Sequence, residues 1–230
     1  MVPIIDAPSP NHGPRRDPAV IDMIIIHYTG MASGPAALDL LRDPQSQVSS
    51  HYLIEEDGRI FALVPEDRRA WHAGVAFWAG HRDVNSRSIG IELVNGGHDF
   101  GCPAFDPRQM AALDQLCLDL IARYQIQARY ILGHSDIAIG RKIDPGEWFD
   151  WRARAQAGIG LWPEIVPSAH GNRAAVDPAS FRAGLAAFGY DPQEPEVITA
   201  FQRHFRPQGL TGIPDQECAA ILAALLSSIS

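Results

Sequence analysis

The sequence predicts an α/β fold, a mixed central β-sheet flanked by helices, followed by a small all-α C-terminal domain of three helices. Three observations carry this reading. Residues 21–27 (IDMIIIH) and 88–94 (SIGIELV) are rich in β-branched apolar side chains and read as strands buried on both faces. Segments with apolar residues at helical spacing interleave with these strands, the pattern of α/β chains. Beyond Pro178 there is no strand signal, only helical periodicity.

Taken in order, residues 1–20 form an N-terminal arm rich in Pro and polar side chains. The strand at 21–27 delivers His27 to its carboxyl end, the edge of an open α/β sheet where ligands collect. A short helix over 34–42 stops before Pro44. Residues 49–56 and 59–64 read as strands joined by a hairpin turn at Asp57-Gly58. Residues 68–74 (RRAWHAG) read as a loop bearing Trp71 and His72, and 80–87 as polar and irregular. Asp106 is placed to cap a long helix, with Pro107 at its first position and Gln109 set to complete a capping box. Met110, Leu113, Leu116, Cys117, Leu120, Ile121 and Tyr124 share one face of that helix.

Residues 130–132 are a short apolar strand that breaks at Gly133 and presents His134. A loop then offers Lys142 and Asp144 before Pro145-Gly146 turns the chain. Residues 149–157 close the first domain as a helix. The expected organisation is therefore an arm (1–20), a catalytic domain (21–162), a linker (163–177) and a three-helix unit (178–230). In the last, Phe181, Leu185 and Phe188 mark one helix, and Val197, Ile198, Phe201 and Phe205 a second. Residues 214–226 mark a third, with Asp215 or its neighbour as cap. That unit is near the lower size limit for independent folding and carries no catalytic-looking cluster, which points to a binding role.

Composition removes several functions. The net charge is −8 with no basic tract, which argues against nucleic acid, since phosphate binding needs concentrated Lys and Arg. No run approaches the ~18 apolar residues of a membrane span. The amino terminus lacks the basic, apolar and small-residue regions of a secretory signal. This predicts a cytoplasmic protein, or a periplasmic or envelope protein whose leader is absent from this sequence. The three cysteines are widely spaced and form no CxxC pair or disulfide framework, and Cys117 and Cys218 fall in helical apolar patterns as core residues.

The chemistry concentrates in a few positions. His27, His134 and Asp144 are three ligands of the types a catalytic Zn²⁺ uses, on separate segments, with a fourth position left for water. Any one of the nine histidines taken alone is more commonly a surface or hydrogen-bonded core residue. His27 and His134 differ in both standing at strand ends, with the carboxylate just beyond the second. Glu92 is costly to bury among apolar neighbours without a partner, and reads either as an edge residue facing solvent or as a general base raised by burial. Lys142 is placed to stabilise an oxyanion, or is a solvated loop lysine. Trp71-His72 suits stacking on a sugar or peptide. His51 reads as a cleft or supporting residue, not a ligand. Phe77-Trp78 is cleft wall or core, and His81 and His98 have no specific role.

The blocks IIIHYTG, SSHYLIEEDGRIFALV, AWHAG, SIGIELVN and GHSDIAIGRKIDPGEWFDW resemble, in this order, those of the zinc-dependent N-acetylmuramoyl-L-alanine amidases, the amidase-2 family with its AmpD and AmiD types and its peptidoglycan-recognition and phage relatives. The resemblance covers roughly residues 20–160. It implies cleavage of the amide between N-acetylmuramic acid, or its anhydro form, and the L-alanine of peptidoglycan stem peptides. It implies one Zn²⁺ on His27, His134 and Asp144, Glu92 as catalytic acid–base and Lys142 as oxyanion stabiliser. Trp71, His72, Ala73, Gly74 and His51 are implied at the substrate cleft. Some phage members carry Tyr where this chain has Ser50, so the glutamate form of the mechanism is implied. The blocks FRAGLAAFGY and VITAFQRHFRP resemble a three-helix peptidoglycan-binding module. The alternatives are a module that recognises muropeptides without cutting them, and a phage-type lysin with the same chemistry.

Overall fold

The computed structural model describes residues 3–16, 20–165 and 176–229. In chain order these form β1 (Ile4–Asp6), β2 (His12–Pro14), β3 (Met23–Tyr28), α1 (Gly34–Arg42), β4 (Tyr52–Ile54), β5 (Ile60–Ala62), β6 (Arg68–Ala70) and β7 (Ser88–Leu93). They continue with α2 (Pro107–Tyr124), β8 (Ile131–Gly133), α3 (His134–Ile137), α4 (Trp151–Gln156), α5 (Pro178–Phe188), α6 (Val197–Phe205) and α7 (Gln216–Ser228). A six-stranded mixed sheet runs β1-β5-β4-β7-β3-β8, in which β4 and β5 are antiparallel and every other pair is parallel. β2 and β6 make a separate antiparallel ribbon.

The period of two along a strand decides which face each side chain joins. In β3, Ile24 and Ile26 pack with Leu113, Leu116, Cys117 and Leu120 of α2. Met23 and Ile25 pack on the opposite face with Leu132 and the C-terminal helices. In β7, Ile89, Ile91 and Leu93 join the α2 side. The other face of β7 is Ser88, Gly90 and Glu92, so the expectation of a strand apolar on both faces holds for β3 and fails for β7. Parallel register sets Glu92 beside His27 across the β3–β7 pair.

Several local expectations change. Asp106 caps α2 by accepting from the Arg108 N–H, but Gln109 completes no capping box. It is fully buried, and its Nε2 donates to the Ile54 and Val94 carbonyls at 2.9 and 3.0 Å. Those carbonyls lie at strand ends, where the ladder leaves acceptors that a buried donor must satisfy. Within residues 3–16 of the N-terminal arm, β1 extends the sheet, and β2 pairs with β6 in a segment expected to be loop. Arg15 locks the arm in place by donating to the carbonyls of Glu66, Asn85, Ser86 and Ser88.

The C-terminal helices share their core with the sheet. Phe181, Leu185, Phe188, Phe201, Phe205 and Leu222 fall in one apolar cluster with Met23, Ile25, Trp78, Leu132 and Ile137. Trp78 is thus core rather than cleft wall. Residues 166–175 of the expected linker lie outside the described residues. No helix among the described residues is long and apolar enough to cross a membrane.

Candidate active site

Three carboxyl-terminal strand ends meet at one cleft. His27 is the fifth residue of β3, Glu92 the fifth of β7, and His134 follows β8 directly as the first residue of α3. The chain then loops back so that the Ser135 N–H donates to the Asp144 carbonyl at 2.9 Å, fixing the second ligand segment against the first. His27, His134 and Asp144 are all buried. His27 Nδ1 lies 3.0 Å from His134 Nδ1 and 3.0 Å from Asp144 Oδ2, and His134 Nδ1 lies 3.1 Å from the same oxygen. The three atoms form a nearly equilateral triangle.

That triangle fits a cation. Four ligands held tetrahedrally about 2.0–2.1 Å from Zn²⁺ stand about 3.3 Å apart, close to the spacing seen. The proton count points the same way. His134 Nε2 lies 3.1 Å from the Ala73 carbonyl, which can only accept, so the neutral ring carries its hydrogen there and its Nδ1 is a bare lone pair. A bare nitrogen, a second imidazole nitrogen and a carboxylate oxygen converging on one point are a donor set suited to a cation. Burial, reinforced by the nearby His134, pushes His27 down to about 4, which keeps it neutral and able to ligate. Burial opposes ionisation of Asp144, but His134 and His27 outweigh it and hold the carboxyl well below its usual range.

Glu92 sits at the cleft floor with one carboxylate oxygen, Oε2, buried and without a hydrogen-bond partner among the described residues. Burial and the neighbouring Asp144 raise its pKa well above the ordinary value, with Lys142 pulling the other way. Glu92 is not an edge glutamate facing bulk solvent, because β7 is a central strand between β4 and β3. Lys142 is exposed and lines the same cleft. Its side chain has no hydrogen bond or ion pair among the described residues. The cleft encloses about 440 Å³, with Trp71 and His72 along one side and Ala37, Leu40 and Leu41 of α1 among its lining.

The remaining candidates divide. Trp71 and His72 line the cleft; Ala73, Gly74 and His51 do not. Ala73 is buried, and its carbonyl serves His134 Nε2 and Arg141. Gly74 adopts φ 62° and leaves room for the Arg141 guanidinium, which a Cβ would approach to 3.1 Å. His51 is fully buried, its Nδ1 accepting from Gly90 N–H and its Nε2 facing the Arg68 carbonyl, so it fastens β4 to its neighbours and cannot line the cleft. His98, assigned no role from sequence, bridges the Tyr28 hydroxyl and the Glu147 carboxylate and lines the cleft. No local sequence signal marks it, because its partners lie 70 and 49 residues away. The Ser88-Gly90-Glu92 alternation, by contrast, was available as a sign that one face of β7 is reserved for small and polar groups.

Comparison with known proteins agrees with this geometry. The sequence pattern of the N-acetylmuramoyl-L-alanine amidase family matches residues 16–147. The chain is 41% identical to the N-acetylmuramoyl-L-alanine amidase AmiD of Escherichia coli, over 90% of this chain and 82% of that protein. It is 36% identical to the 1,6-anhydro-N-acetylmuramyl-L-alanine amidase AmpD of the same organism, over 63% of this chain and 86% of that one. The crystallised complex of E. coli AmiD with anhydro-N-acetylmuramic acid-L-Ala-D-gamma-Glu-L-Lys superimposes with a TM-score of 0.83, covering 93% of this chain and 92% of that one at 40% identity. AmpDh3 of Pseudomonas aeruginosa does so with a TM-score of 0.80, covering 90% and 92% at 34% identity. With the family pattern over most of its length, relatives at this identity and the same fold, the chain belongs to the N-acetylmuramoyl-L-alanine amidase family.

Proposed function

We propose that this protein is a zinc-dependent hydrolase that cleaves the amide between N-acetylmuramic or anhydro-N-acetylmuramic acid and the L-alanine of peptidoglycan stem peptides, in cell-wall turnover. The observation that carries it is the His27–His134–Asp144 triangle beside a buried, partnerless Glu92 oxygen on one cleft floor. Bound to those three atoms, Zn²⁺ would supply Lewis-acid polarisation of the scissile carbonyl and acidification of water.

The protein's own groups do the rest. Glu92, raised by burial, is matched to accept the proton of the attacking water and deliver it to the departing L-alanine amine. Lys142 brings an ammonium with no side-chain hydrogen bond or ion pair among the described residues to the oxyanion of the tetrahedral carbon. Trp71 gives the substrate a flat apolar surface to pack against. For α5–α7 the proposed role is added contact with peptidoglycan, supported by the resemblance of their sequence to a binding module.

The test is mass spectrometry of a purified anhydro-muropeptide incubated with the protein, then with chelator, then with zinc restored. Release of free stem peptide that stops on chelation and returns with zinc is expected. Saturable binding without release would place the protein with the non-cutting recognition modules instead.

A further inference from the structure

His27 directs Nδ1 at the other two ligand atoms and leaves its Nε2 3.0 Å from Nδ1 of His72. The polar chain continues. His72 Nε2 lies 3.0 Å from the Ser88 hydroxyl, and that hydroxyl lies 2.8 Å from the Val84 carbonyl. Counting hydrogens from the far end fixes every one of these contacts. A carbonyl has no hydrogen to give, so the single Ser88 hydrogen goes to Val84. Ser88 Oγ must then accept, and His72 Nε2 donates to it.

The hydrogen of a neutral His72 is thereby spent on Nε2, leaving Nδ1 bare. The ring is buried, and no carboxylate among the described residues hydrogen-bonds or ion-pairs with it to hold a second proton. His72 Nδ1 therefore accepts from His27 Nε2–H. With its hydrogen committed there, neutral His27 has its lone pair on Nδ1, aimed at the metal triangle.

We infer that His72, backed by Ser88 and Val84, is a positioning residue that fixes His27 in the Nε2–H tautomer and aims its Nδ1 lone pair at the metal. The inference rests on the metal reading above. Second-layer partners of ligating histidines are ordinarily carboxylates, carbonyls or water; here an imidazole relay does this work.

The surroundings are built for it. Gly90 stands under the His72 ring, where a Cβ would come within 2.5 Å of Cγ, so the strand keeps a gap for the imidazole. The His72 and Ala73 N–H groups both donate to Asn85 Oδ1, at 3.1 and 2.8 Å, pinning the backbone. Adjacent residues thus serve both histidine ligands: the His72 side chain holds His27, and the Ala73 carbonyl holds His134. The segment that reads in sequence as substrate contact is, at these two residues, the second layer of the metal centre.

The first test uses the wild-type chain without metal. Histidine-selective ¹⁵N NMR is expected to show His27 protonated on Nε2 and bare on Nδ1; the opposite tautomer overturns the inference. The second measures zinc affinity by chelator competition. His72→Ala is expected to weaken zinc by about 10–100-fold, the usual effect of losing such a partner. His72→Asn, whose carboxamide oxygen can accept in place of Nδ1, is expected to recover most of that loss. Equal affinity in wild type and His72→Ala, or no recovery in His72→Asn, overturns the inference. If His72→Ala does not fold, Ser88→Ala in the NMR experiment is expected to give His27 a mixture of tautomers, and an unchanged single tautomer counts against the relay. A wild type that takes up no zinc would remove the metal reading itself, an outcome distinct from zinc uptake with the wrong tautomer.

Discussion

His204, on α6, places its Nδ1 2.8 Å from Oδ2 of Asp136, on α3, two residues after the ligand His134. Both side chains are almost wholly buried. Asp136 also accepts from the Tyr190 hydroxyl at 2.7 Å and from the Gly133 N–H at 2.8 Å. The C-terminal helices therefore complete the hydrogen bonding of the segment that carries the candidate metal ligand His134. Replacing His204 with Ala withdraws one donor from a buried carboxylate, and the expected loss is about 1–3 kcal/mol of stability. Urea unfolding of wild type and variant measures it; an unchanged midpoint would show the contact to be dispensable.

Asp144→Ala removes the only anionic corner of the metal triangle. Zinc content by elemental analysis is expected to fall to near zero, with hydrolysis lost in parallel. Full occupancy in this variant would take Asp144 out of the ligand set.

Lys142 is exposed and makes no side-chain hydrogen bond among the described residues, so Lys142→Ala should leave folding intact. Turnover is expected to drop by about 10²–10³, the usual loss for one oxyanion donor. Steady-state kinetics beside a thermal melt separates that outcome from a folding defect.

Glu92 acts as a base only when ionised, and its raised pKa sets where that happens. The acid limb of kcat/KM should therefore lie above the ordinary carboxylate range of about 4–5, with activity rising as pH rises through it. Glu92→Gln is expected to keep zinc, abolish that limb and lower turnover by about 10²–10⁴. A pH profile of the variant that retains the wild-type limb would assign it to another group.

His51 gives a pH signature separate from catalysis. Burial, helped by Arg15, depresses it from 6.5 to about 3 in the folded chain. The unfolded chain binds the extra proton first, so the stability it contributes is full above its ordinary pKa and is lost as pH falls toward the folded value. For the metal-free protein this group alone contributes a slope of about 1.4 kcal/mol per pH unit in that window. Urea titrations at stepped pH should show a shallower slope for His51→Asn.

The sequence by itself determined the α/β order of the main elements and singled out His27, His134 and Asp144 as the candidate metal ligands. Short-range physics is enough for these: β-branched runs for β3 and β7, Asp106-Pro107 for the start of α2, and ligand-type residues placed where strands end. The GHSDIA…GRKIDPG block carried His134, Lys142 and Asp144 together because they lie within eleven consecutive residues, on α3 and the loop after it. Only the tertiary structure decided the second layer. His72 meets His27 across 45 residues, His98 meets Tyr28 across 70, and His204 meets Asp136 across 68. Gln109 satisfied every local rule for a capping box and was claimed instead by two carbonyls on distant strands. Local propensity fixes what a segment becomes. Which buried donor meets which buried acceptor is settled only when the elements pack, because each pairing is enforced by the absence of water around it.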